Sequence, residues 1–144
     1  MLPRIVIFSC NWDGWSCIES ASNLHLQYPS SVKVVRVRCL SRLHAGLMIK
    51  PFEFGADGVL LIGCKPENCH FGNNDSYVIK ELERAQAILE MLGIWKNRLA
   101  LVQLPPFDGN QFLARVLNFI DEIRTVPLRG HTKLSARSLG DKEP

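Results

Sequence analysis

No apolar run in these 144 residues approaches the ~18 needed to cross a bilayer, which excludes a spanning helix. The opening MLPRIVIFSC carries only a short apolar run before a polar, cysteine-bearing stretch, well under the ~7–15 apolar residues of a secretory core. A soluble, cytoplasmic protein is therefore expected. Charge of one sign is scarce: the net charge is +3, and the segment 127–144 holds four basic and two acidic side chains, leaving +1 for the rest. That balance gives no reason to expect nucleic acid. No GxGxxG follows the first apolar run, where SCNWDGW stands instead, so a dinucleotide site is not expected. There is no CxxC pair, no defensible Ser–His–Asp arrangement and no internal repeat. With 47% apolar and 22% charged residues, the composition is that of an ordinary globular domain able to build its own core.

What is present is alternation. Short Val-, Ile- and Leu-rich runs lie at residues 4–8 (RIVIF), 32–37 (VKVVRV), 58–62 (GVLLI) and 98–104 (RLALVQL), each of strand length. Helical patterns separate them at 18–27, at 43–54 with Pro51 predicting a kink or break, from Asp75 or Ser76 to Gly93, and at 109–123. Asp108 with Gln111 forms a candidate capping box for the last. Repeated strand–helix alternation predicts an α/β fold: a four-stranded parallel sheet in a flavodoxin/Rossmann-like three-layer sandwich. The first and third runs are the most uniformly apolar and suit the centre. The second carries Lys33 and Arg36, and the fourth Arg98 and Gln103, which suits edges. The expected strand order is 2-1-3-4. One domain over 1–126 and a polar, mildly basic tail over 127–144 are expected.

The five cysteines carry the functional signal. Cys10, Cys39 and Cys64 each follow an apolar run, Cys69 lies five residues beyond Cys64, and Cys17 stands at the expected start of the first helix. In a parallel sheet the C-terminal strand ends share one edge, so these thiols should converge on the crevice where such sheets bind ligands. A single strand-end cysteine is usually a small buried hydrophobe. That reading weakens when all five fall on one edge. Converging thiolates select iron–sulfur clusters or zinc. Helix N-termini and backbone N–H groups at Gly14, Gly63 and Gly72 would favour the anionic sulfur. His70 can ligate or bond backbone, and Asp13 can ligate or cap. Trp12 and Trp15 can shield a cluster or seal the core edge. Arg38 and Arg42 can be solvated, balance a cluster's charge or dock an acidic partner. Two rival readings use the same thiols: a structural zinc module, and a metal-free redox enzyme with an attacking and a resolving cysteine, such as Cys10 and Cys17.

The cysteine loops resemble those of the delta (iron–sulfur) subunit of methyl-viologen-reducing hydrogenases, partner of heterodisulfide reductase. The likeness is carried by FSCNW at residues 8–12, QYPSSVKVVRVRCLSR at 27–42 and FEFGADGVLLIGCKPENCH at 52–70, within a span of about 5–123. The resemblance implies an iron–sulfur cluster, [2Fe–2S], on Cys10, Cys39, Cys64 and Cys69. It implies electron relay between a hydrogenase or other dehydrogenase and a heterodisulfide-reductase-type flavoprotein. The family usually reads CNWC, whereas here Asp13 stands in the second cysteine's place. Cys17 then either substitutes as a ligand or is spare. Pro51 and the basic tail are further departures.

Overall fold

The computed structural model describes residues 2–65, 67 and 76–125. The expected Cys69, His70 and Gly72 features, the Asp75 cap and the 127–144 tail lie outside the described residues. Four strands alternate with four α-helices: β1 Ile5–Cys10, α1 Asp13–Asn23, β2 Val32–Val37, α2 Ala45–Glu53, β3 Gly58–Cys64, α3 Ser76–Met91, β4 Leu99–Leu104 and α4 Gly109–Thr125. All strand pairings are parallel and the order is β2-β1-β3-β4, as the apolar grading of the runs predicts. No described helix is long and apolar enough to cross a membrane.

Alternating side chains of each strand feed two separate cores. Ile5, Ile7, Leu60, Ile62, Val102 and Leu104 pack with the inner faces of α1 and α4, including Phe112, Val116 and Ile120. Val59, Leu61 and Leu99 pack with α2 and α3 through Met48, Phe52, Val78 and Leu89. α1 and α4 meet at Gly109, where an added Cβ would fall 2.4 Å from the Ala21 nitrogen, so only glycine permits the crossing. Ser16 and Ser20 of α1 reinforce it by accepting from the backbone N–H groups of Phe107 (2.9 Å) and Gly109 (3.2 Å).

Helix ends follow their local chemistry. Asp108 accepts from the Gln111 N–H at 3.0 Å, and the Gln111 amide donates back to the same carboxylate at 3.1 Å. Gly93, at φ +80°, closes α3 by the left-handed turn that glycine tolerates best. At α2 a buried tertiary cap operates: the Glu81 carboxylate accepts from the Ala45 N–H at 2.9 Å and is held by Arg84 at 3.0 Å. Pro51 does not break α2. It sits in the last turn, and the helix ends at Glu53, two residues on.

Two further expectations need correction. The first helix begins at Asp13, five residues before the expected 18, because Gly14 lies so close to β3 that a Cβ would meet the Ile62 carbonyl at 2.8 Å. Cys17 is therefore inside α1 rather than at its start. β4 is an edge strand, as Arg98 and Gln103 predict. Arg98 itself is fully buried, with Nη1 donating to the Asp57 carbonyl at 2.8 Å.

Candidate functional site

β1 and β3 are neighbours, and each ends on a cysteine. Their last side chains meet: Cys10 Sγ and Cys64 Sγ are 3.7 Å apart. A disulfide would bring them to about 2 Å. Two thiolates sharing one tetrahedral metal at about 2.3 Å stand about 3.8 Å apart, close to the spacing found.

The N-terminus of α1 rests on this pair. The Gly14 N–H donates to Cys10 Sγ at 3.2 Å, and the Trp12 N–H adds a second bond to the same sulfur. The Asp13 N–H is directed at Cys64 Sγ. Backbone donors at a helix N-terminus favour an anion. The Cys64 S–H bond, together with the Gly14 and Trp12 N–H groups, outweighs burial and lowers the Cys10 pKa from 9.0 to about 6. Cys64, as the donor in that contact and part-buried, is shifted upward. The two sulfurs act as one coupled pair, in which a first ionisation is favoured and a second opposed.

Asp13 brings a carboxylate to the same helix turn. Its charge opposes ionisation of Cys10, Cys64 and Cys17 alike. Its Oδ2 is buried with no hydrogen-bond partner, and desolvation raises its pKa. A buried carboxylate oxygen without a partner is costly to desolvate, which accounts for the direction of that shift.

Cys39 lies two residues beyond Val37, the register partner of Cys10, and so stands at the same sheet edge. It is half-buried at the start of a short 3-10 turn, and its Sγ accepts from Ser41 Oγ at 3.2 Å. Leu40 of that turn packs onto Gly63, where a Cβ would fall 2.6 Å from its Cδ1. Cys17 takes a different direction. Fully buried in the α1–α4 core, it donates to the Pro105 carbonyl at 3.0 Å, and burial raises its pKa. Among the described residues, no three Cys, His, Asp or Glu side chains come together as a metal site. The aromatic flank divides: Trp15 packs against the α1–α4 core beneath the Arg36 guanidinium, 4.3 Å from the ring centroid, while Trp12 is exposed. Arg38 and Arg42 are exposed on either side of Cys39. The Gly14 N–H bond to a cysteine sulfur is the one the sequence predicts. The Trp12 N–H that joins it carried no signal in the sequence.

Fold and rim define a class: a parallel α/β domain with a backbone-cradled thiol pair at its ligand-binding crevice. Residues 5–126 match the family model described as methyl-viologen-reducing hydrogenase, delta subunit, and the chain belongs to that family. It is 31% identical over 124 residues to the iron-sulfur subunit of the vhc F420-non-reducing hydrogenase of Methanococcus voltae, covering 86% of each chain. It is equally 31% identical over 122 residues to the iron-sulfur subunit of the F420-non-reducing hydrogenase of Archaeoglobus profundus, covering 85% of this chain and 89% of that one. A third relative is larger. This component of the Ferredoxin:CoB-CoM heterodisulfide reductase of Methanosarcina mazei is 25% identical over 142 residues, which is 98% of this chain but 18% of that protein.

Proposed function

We propose that the chain is an electron-transfer subunit holding an iron–sulfur cluster, [2Fe–2S], on Cys10, Cys39, Cys64 and Cys69, with Cys17 spare. The observation that carries this reading is the 3.7 Å Cys10–Cys64 pair under the N-terminus of α1. Iron–sulfur subunits among the relatives support the cofactor class. The spare role of Cys17 is supported by its burial in the opposite core and its bond to Pro105. The bound cluster supplies one-electron transfer with no bond made or broken. The chain's own residues do the rest. Cys10 enters ligation already inclined to the thiolate, so little proton release is required there. The Gly14 and Trp12 N–H groups bond that sulfur and stabilise added negative charge. The rim lies at the surface, where Trp12, Arg38 and Arg42 surround it. Electrons would pass between a hydrogenase or other dehydrogenase and a heterodisulfide-reductase-type flavoprotein, in the cytoplasm, where thiols stay reduced.

An anaerobic preparation tests this by metal content, visible absorbance and EPR after reduction. About two irons and two sulfides per chain are expected. One zinc with no chromophore would reject the reading, and so would a metal-free chain. Serine replacements should lose the cluster at Cys10 and keep it at Cys17. A second reading, a metal-free dithiol, is favoured by the lowered Cys10 pKa beside Cys64. It requires that the purified chain hold no metal and cycle a Cys10–Cys64 disulfide.

A further inference from the structure

The α2 face of the sheet is left open where it meets the edge strand. Among the described residues, β2 pairs only with β1 and its other edge is free. α2 has nine residues, against 17 for α4 on the other face. Between them lies a groove of about 680 Å³. Its floor is apolar: Val6, Phe8, Val35, Leu47 and Phe54 line it, with Val35 and Leu47 each about 40% exposed and Phe54 74% exposed. Its cations are Arg4, Lys33 and Lys50, and among the described residues no carboxylate lines it. The Lys50 ammonium lies 5.7 Å from the Phe54 ring and reaches Glu53 at 3.5 Å. The same strand continues past Arg36, whose guanidinium turns to the opposite face over Trp15, and exposed Arg38 to Cys39 at the cysteine rim.

A concave apolar floor of this kind marks an interaction site. Its charge selects the occupant. A second copy seated symmetrically would set like charges against each other. The chain's own 127–144 segment is also basic, and it follows α4, which packs on the opposite face of the sheet. We infer that the groove and the β2 edge dock an acidic, apolar-anchored segment of a partner protein, and that this contact seats the partner beside the cysteine rim. The inference rests on the partner reading above, since the partner is taken to be the heterodisulfide-reductase-type flavoprotein.

The test uses the cluster-loaded full chain and that flavoprotein from the same organism, with affinity measured by calorimetry at low and high salt. Phe54→Glu and Leu47→Glu should each weaken binding about tenfold or more. Lys33→Glu should weaken it at low salt and flatten the salt dependence. Leu117→Glu on α4 and Met91→Glu on α3, equally apolar and exposed but off the groove, should bind like the native chain. Iron content and melting temperature of each variant confirm an intact domain. If the native chain does not bind the flavoprotein, the partner reading fails. If it binds and the groove variants bind as tightly, the groove inference fails while the partner reading stands. A native chain that is dimeric alone and made monomeric by Phe54→Glu would assign the groove to a second copy and overturn the inference. Binding insensitive to salt would overturn the acidic character of the occupant.

Discussion

The two faces of the sheet are built to different specifications. The α1–α4 face is well filled: two helices of 11 and 17 residues cross at a glycine, and Phe112, Val116, Phe119 and Ile123 fill the interior. The α2–α3 face has the shorter helix, a buried carboxylate used as a cap, an open groove, and the Cys10–Cys64 pair at one end. Cysteine shows what the difference means. Cys17 on the α1–α4 face is a small hydrophobe with its S–H directed at a carbonyl, and burial pushes its pKa up. Cys10 is almost as buried, yet its pKa falls, because backbone N–H groups and a second thiol are aimed at its sulfur. Burial alone does not set the ionisation of a cysteine; the donors around the sulfur do.

That contrast can be broken most forcefully from the α1–α4 face. Phe112 is fully buried and meets Tyr28 edge-on with centroids 5.9 Å apart. Phe112→Ala should cost about 3–5 kcal/mol in denaturant unfolding. An undiminished midpoint would show that this face is not the stabilising one. Gly109→Ala forces a methyl into the Ala21 backbone and should cost about 1–3 kcal/mol by the same measurement. Glu81→Ala removes one cap of α2 and leaves the Ala45 N–H without its bond, while His44 still accepts from the Leu47 N–H. About 1–2 kcal/mol is expected, with faster amide exchange confined to α2.

The smallest effect sharpens the cysteine comparison itself. In the metal-free chain, ultraviolet thiolate absorbance should show one cysteine titrating near a pKa of about 6, and Cys64→Ala should move that midpoint upward. The sign for stability follows. An acid whose folded pKa lies below its unfolded value of 9.0 makes the folded chain gain stability as pH rises, and that gain is lost as pH falls through about 6. Cys64, shifted the other way, reverses the trend above the ordinary cysteine value. A native chain whose stability stays flat from pH about 6 to 9.0 would contradict this.

Much of the fold was legible because strands announce themselves by runs of Val, Ile and Leu, and their grading of apolarity ranked centre against edge. VKVVRV occupies β2 over Val32–Val37, as its run predicts. The placement of Cys10, Cys39 and Cys64 at the carboxyl ends of three strands followed from the same pattern. The start of α1 did not. Residues 13–17 carry weak apolar periodicity, and the helix forms there because Gly14 can lie against the Ile62 carbonyl, a contact between residues 48 apart in sequence. Arg98 rightly marked β4 as an edge strand, but charge alone does not reveal that the Asp57 carbonyl waits inside to receive its guanidinium.

Sequence by itself determined the parallel sheet, its order and the edge on which the strand-end thiols stand, since these depend on local patterns and on the shared direction of the strands. Tertiary structure alone decided which thiols face each other. Whether a sulfur meets another sulfur, a cradle of N–H groups or a lone carbonyl depends on the face its strand or helix turns inward, and that is set by packing between segments distant in the chain.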